Sequence, residues 1–186
     1  MIERVRRQLA LVRQLFGSRG VQSPSVYRIL SDVICNRQAY YAYTDLAAHL
    51  RRKKRTDRKI AKLLLRLSNY VRADAAILPQ DSQCFALFVV RGCKHTSIFD
   101  SQFSIINYQK NSVLILTAAD QLPQSLQPLR EGSALMVQNI YCDRASLQSW
   151  RQLAAQPWAT LTLDLGLAGV VLTSTAYSKQ HYIINL

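Results

Sequence analysis

Glycine is scarce in this chain. The 186 residues hold six, and none lies between Val21 and Arg91. A turn in that stretch therefore lacks the bare backbone that lets a main chain approach a ligand without Cβ interference. Acidic residues are also few, with 11 Asp and Glu against 24 Lys and Arg and a formal net charge of +13. No apolar run reaches the ~20 residues of a membrane-spanning helix. The opening stretch MIERVRRQLALVRQLFG is broken by arginines where a signal peptide needs an uninterrupted apolar segment. The expectation is a soluble, unexported, cytoplasmic protein. Cys35, Cys84, Cys93 and Cys142 have no CxxC spacing and no paired histidines, so neither a zinc site nor a disulfide framework is indicated. Reduced, mostly buried thiols are expected. His49, His95 and His181 are scattered and match no Ser-His-Asp or Cys-His arrangement. Cys93 and His95 share one short polar segment in which no third catalytic group is indicated.

What the chain does contain is 49% hydrophobic residues, enough for one ordinary core, and a lopsided charge. Residues 1–72 carry 17 Lys and Arg against 4 Asp and Glu, whereas residues 73–186 carry 7 of each. The excess belongs wholly to the first part. This places an organisational boundary near Arg72, between a basic helical region over 1–72 and a neutral globular body over 73–186. Within the basic region the run Arg51, Arg52, Lys53, Lys54 and Arg55, continued by Arg58, Lys59 and Lys62, is a candidate anion-binding surface. It reads either as a phosphate-contacting face for nucleic acid or as a solvated helix face, with Tyr40, Tyr41 and Tyr43 as the nearby aromatic residues. A basic N-terminal helix lying on an anionic membrane is a weaker reading, because its apolar stripe is short.

Hydrophobic period places the elements. Ile2, Val5, Leu9, Val12 and Phe16 form one helical stripe that Gly17 and Gly20 stop. Ser23 and Pro24 open a second helix whose stripe is Val26, Ile29, Leu30, Val33 and Ile34. The tyrosines then fall in a connecting turn, Thr44 and Asp45 open a short third helix, and Thr56 caps a fourth that buries Ile60, Leu63, Leu64, Leu67 and Val71. After Arg72 short apolar runs predict strands at Ala75 to Leu78, Ser104 to Tyr108, Val113 to Leu116 and Ala134 to Val137. A helix is expected within Asp143 to Ala155. Phe85 to Val90 suits either a buried strand or a helix. Ala159 to Asp164 and Gly169 to Thr173 read as two β-runs joined through LGLAG, and Gln180 to Asn185 extends the pairing. The predicted class is α/β, a mainly parallel sheet with an antiparallel C-terminal hairpin, preceded by the basic helical region.

Several of these segments resemble a family of class I S-adenosylmethionine-dependent methyltransferases, of the O-methyltransferase-like kind common in Bacteroidetes. GSRGVQSPSVYRIL is similar to the family's HGxHSPFVF segment, Tyr40 and Tyr41 to its Tyr-Tyr pair, and KIAKLLLRLSNY to its lysine-rich helix. The C-terminal stretch resembles the family's last three strands, including Trp150, Pro157 and the closing QHY. The resemblance implies a Rossmann-like sheet with S-adenosylmethionine at its carboxyl edge. It covers both ends of the chain, while the middle departs from the family. Where the family has a pattern like ELGxSxGxxT, this chain has AILPQDSQCFALF, and only Asp81 could imitate a cofactor-contacting carboxylate. RGC at Arg91 to Cys93 looks like the family's EGC with its acid replaced by a base. The acid that ends the second strand in the family has no clear equivalent. The family's DDIH becomes QNIY, with Gln138 and Asn139 in the acidic positions and Tyr141 in that of His. Amides cannot serve as general bases or lend formal charge to a metal site. The resulting expectation is a degenerate methyltransferase-like protein with weak or no S-adenosylmethionine binding and a structural or binding role, for which a protein partner or a homodimer is conceivable. The alternatives are an active methyltransferase with an atypical cofactor site and a basic nucleic-acid-binding module.

Overall fold

The computed structural model describes residues 23–184, apart from 37, 39, 101–111, 124, 125 and 177. The helix expected over Ile2 to Phe16 and the strand expected over Ser104 to Tyr108 lie outside the described residues.

The chain enters through α1 (Pro24–Ile29), which runs on into a π-helical turn, Leu30–Ile34. The proline at the first helical position gives up a backbone N–H that has no helical partner there anyway. Two short helices follow, α2 (Tyr41–Asp45) and α3 (Ala47–Leu50). Tyr41 and Tyr43 are thus helical, where a connecting turn was expected, because their backbones begin α2 three residues before Thr44. The long helix α4 spans Arg55–Val71 and buries Ile60, Leu63, Leu64 and Leu67 as the periodicity requires. Thr56 does not cap it. Lys54 occupies the N-cap, and the Thr56 hydroxyl lies 3.4 Å from the Asp57 carboxylate. Arg72 ends α4 in the left-handed region at φ 50°, with its N–H bonded to the Ser68 carbonyl at 2.9 Å.

The described residues form seven strands, β1 (Ala75–Leu78), β2 (Ser97–Asp100), β3 (Val113–Ala118), β4 (Ala134–Gln138), β5 (Leu161–Asp164), β6 (Ala168–Leu172) and β7 (Gln180–Ile183). They form one mixed sheet in the order β2-β1-β3-β4-β6-β5-β7. Only β6 runs against its neighbours, inserted between β4 and β5. The ambiguous segment after β1 becomes a 3₁₀ stretch, Gln80–Phe85, and then the helix α5 (Ala86–Gly92). The helix α6 (Arg144–Ala155) connects β4 to β5, and Asp143 caps it by accepting the Ser146 N–H at 2.7 Å.

Alternation along the strands divides the core between the sheet's two faces. Ala76, Leu78, Leu114, Leu116, Met136 and Val170 share one hydrophobic cluster with the buried stripes of α1, α4 and α5. Ala75, Ile77, Val113, Ile115, Leu135 and Val171 pack on the other side with Leu147, Trp150 and Leu153 of α6. Central strands buried on both faces account for their continuous apolar runs. Two glycines permit close approach. A Cβ on Gly92 would lie 2.3 Å from the Leu65 carbonyl oxygen, so α5 ends directly against α4. One on Gly169 would lie 2.5 Å from the Trp150 ring, which rests on β6.

The first cluster joins residues from Val26 to Leu172. The charge boundary near Arg72 therefore coincides with a helix end, and the core is continuous across it. Buried Arg66 ties the helical layer together. Its guanidinium donates to the carbonyls of Val33 and Ile34 and, at 3.0 Å, to the Tyr43 hydroxyl. The cysteines depart from expectation: Cys35, Cys84 and Cys142 are exposed and Cys93 is half-exposed. Each sits in or beside a turn or short helix whose buried positions are taken by larger residues, Ile34, Phe85 and Ile140 among them.

Candidate functional site

The parallel register brings the ends of three strands level. Leu78 pairs with Asp100 across β1 and β2, and Ile77 with Ile115 across β1 and β3. From β1 the chain crosses to β2 on one side and returns to β3 on the other. Connections leaving in opposite directions part at that point and leave a crevice outside the carboxyl ends of the strands. A cavity of about 630 Å³ occupies it. This is within the ~300–1,000 Å³ typical of small-molecule sites.

Its floor is apolar, from Ile77, Ile115 and Leu135. One wall is the start of the 3₁₀ stretch, Pro79 to Asp81, and the opposite one is Gln121 to Pro123 with Leu126. Thr117 and Asp100 complete the rim from the ends of β3 and β2. The turn after β1 is closed on itself. Ser82 donates its N–H to the Pro79 carbonyl at 2.8 Å, and the Gln83 amide donates to the Leu78 carbonyl at 3.1 Å. Two carboxylates, Asp81 and Asp100, face the cavity, and no Lys or Arg lines it among the described residues. Both the charge and the hydrogen-bonding character of the rim therefore suit a ligand rich in donors.

Comparison with protein-family models, with curated proteins and with solved structures finds no match.

The remaining sequence-derived positions lie elsewhere. Arg91 is in the last turn of α5, where its guanidinium is 3.9 Å from the Asp45 carboxylate, both side chains being half-exposed. It does not end a strand. The second strand ends in Asp100, nine residues further on. Gln138 is the half-buried last residue of β4, and exposed Asn139 follows in the left-handed region at φ 60°, a conformation asparagine tolerates well. Neither lines the cavity. Tyr141 is turned to the sheet and donates its hydroxyl to Asp164, a buried carboxylate that also accepts the Gly166 N–H at 2.9 Å. Arg51 to Lys54 form the turn between α3 and α4 and Arg55 opens α4; none of the five lines the cavity. Among the described residues no group of three or more His, Cys, Asp or Glu is placed to hold a metal ion, and no helix is long and apolar enough to cross a membrane.

Asp100 is the residue that sequence reasoning missed. The signal was faint: two apolar residues, Ile98 and Phe99, between polar neighbours, in a four-residue strand with no buried position.

Proposed function

We propose that this chain is a diverged relative of the class I S-adenosylmethionine-dependent methyltransferases that holds a nucleoside-type ligand in the crevice and has no acid–base centre of the family's kind. The strand order, reversing at β1 and β3 as in Rossmann-like sheets, supports the reading. The observation that carries it is Asp100, at the carboxyl end of the second strand and in the cavity rim. A carboxylate in that place accepts hydrogen bonds from a ribose diol. With Asp81 and Asp100 on its rim, the cavity favours a donor-rich ligand, neutral or cationic, over a nucleotide.

S-adenosylmethionine meets that requirement in part. Asp100 would hold its ribose and the apolar floor its base. When bound, its sulfonium supplies an activated methyl group. The amino-acid half fares worse, because the turn after β1 carries Pro79, Gln80 and Asp81 where a glycine-rich turn would leave room, and its hydrogen bonds are closed internally. The positions that resemble the family's acidic pair are the amides Gln138 and Asn139, and the Tyr141 hydroxyl is engaged by Asp164. No histidine, cysteine or lysine lines the cavity among the described residues. A binding role follows.

Calorimetric titration tests this with adenosine and S-adenosylmethionine. Both should bind, within about 3-fold of each other, since the methionine half contributes little. Asp100→Asn should weaken both by ~10-fold or more, the loss expected for charge-assisted hydrogen bonds. S-adenosylmethionine binding a hundredfold tighter than adenosine, about 2.7 kcal/mol, would overturn the reading. So would affinity indifferent to Asp100→Asn.

A further inference from the structure

We propose that the basic α3–α4 corner, together with the tyrosines of α2, is a docking surface for single-stranded nucleic acid, separate from the crevice and independent of what the crevice binds. The first observation is Tyr41, which is 97% exposed. A tyrosine so placed adds nothing to the core, although its neighbours are fixed. The Tyr40 and Tyr43 rings lie 5.3 Å apart, Lys62 Nζ stands 5.0 Å from the Tyr43 ring centroid, and the Tyr43 hydroxyl accepts from Arg66. Tyr41 is thereby presented on an anchored helix, with its ring open to stacking by an unpaired base.

The second observation is charge held in place. Arg51 to Lys54 lie in the α3–α4 turn and Arg55 opens α4, and Arg58 donates to the carbonyls of Arg51 and Lys53 at 3.0 and 2.9 Å, fastening that turn to the first turns of α4. Lys59 and Lys62 extend the cationic surface along α4, about 10 Å of helix from Arg55. Between Arg51 and Asn69 the only acid is Asp57. Lys62, over the Tyr43 ring, links this strip to the helix that carries Tyr41, and cations combined with an exposed aromatic are what single-strand binders use, backbone phosphates meeting the cations and bases stacking on the ring.

A membrane surface fits less well. Ile60, Leu63, Leu64 and Leu67, the apolar stripe of α4, are fully committed to the core, which leaves no apolar band on this face to enter lipid. A duplex fits less well too, since its paired bases are not free to stack on Tyr41.

The test uses the full chain and a fluorescein-labelled oligouridylate of about 12 nucleotides, followed by anisotropy from roughly 50 to 200 mM NaCl. About five phosphate contacts give a slope of log K against log salt near −3.5. Replacing Arg51, Arg52, Lys54 and Arg55 together by alanine should reduce that slope by roughly 2 to 3, and leaves the carbonyls that Arg58 engages intact. Tyr41→Ala should weaken binding ~10-fold at fixed salt with the slope unchanged. No binding at low salt, or full affinity in Tyr41→Ala, would overturn the proposal. Tighter association with phosphatidylserine vesicles than with the oligonucleotide would reassign the face to membranes. Equal competition by polyglutamate would reduce it to unspecific acid binding.

Discussion

Replacing Arg66 by methionine removes a guanidinium while nearly conserving volume. Its expected effect can be worked from the bonds it breaks. Val33 and Ile34 close the π-helical turn, so their carbonyls have no partner within the helix and take their hydrogen bonds from Arg66. Arg66 is 8% exposed, so little water can replace it. Each orphaned buried carbonyl costs about 1–3 kcal/mol. Relief from burying a charge offsets part of that. The net loss should be roughly 2–4 kcal/mol, a large share of the ~5–15 kcal/mol by which domains are stable. Urea denaturation followed by the fluorescence of buried Trp150 reads it as a lowered midpoint with an unchanged slope. Lysine cannot present two donors to adjacent carbonyls, and Arg66→Lys should recover less than half of the difference. A methionine variant within roughly 0.5 kcal/mol of the parent would refute the reasoning, since it would mean that α1 is held by apolar packing alone.

Three further outcomes are expected. Gly169→Ala should lose about 2–3 kcal/mol by overpacking against the Trp150 ring, and an unchanged denaturation midpoint would show that the ring does not rest on β6. His181 retains solvent contact, yet desolvation beside the sheet edge, where Nδ1 lies 2.7 Å from the Thr162 hydroxyl, lowers its pKa against the opposing pull of Asp164. The neutral form is then favoured in the fold, so thermal stability should fall slightly as the pH drops below about 6.5. His181→Gln should flatten that part of the profile, and a profile unchanged by it would count against the assignment. Finally, native protein should react with a thiol reagent at Cys35, Cys84 and Cys142 without denaturant, read by peptide mapping; protection of any of the three would contradict its exposure.

Five strands could be read from their apolar runs because β1, β3, β4, β5 and β6 are buried on both faces, which imposes continuous hydrophobicity. β2 could not, since a strand with exposed Ser97 and only partly buried residues after it leaves no such pattern. The helix α5 was ambiguous for the opposite reason: buried Phe88 and Val89 interrupt any amphipathic period in a segment of seven residues. The same limits govern the crevice. Asp81 was visible because it follows a legible strand. Asp100 was hidden behind an illegible one, and the RGC at Arg91 drew attention to a helix end instead. Burial of the cysteines was inferred from their chemistry alone, whereas tertiary packing put larger side chains in the interior.

The place of β6 between β4 and β5 also sets an order of events during synthesis. β4 can satisfy its outer edge only with residues 168–172, and β5 meets the rest of the sheet solely through β6. A nascent chain that has released everything up to Asp164 therefore still shows an unpaired, fully apolar edge at Ala134 to Val137, a template for intermolecular pairing. Completion of the fold waits on residues 168–172 leaving the ribosome. Stalling or truncation in the LGLAG connection should accordingly favour aggregation, while losses beyond Ile183 should leave the sheet closed.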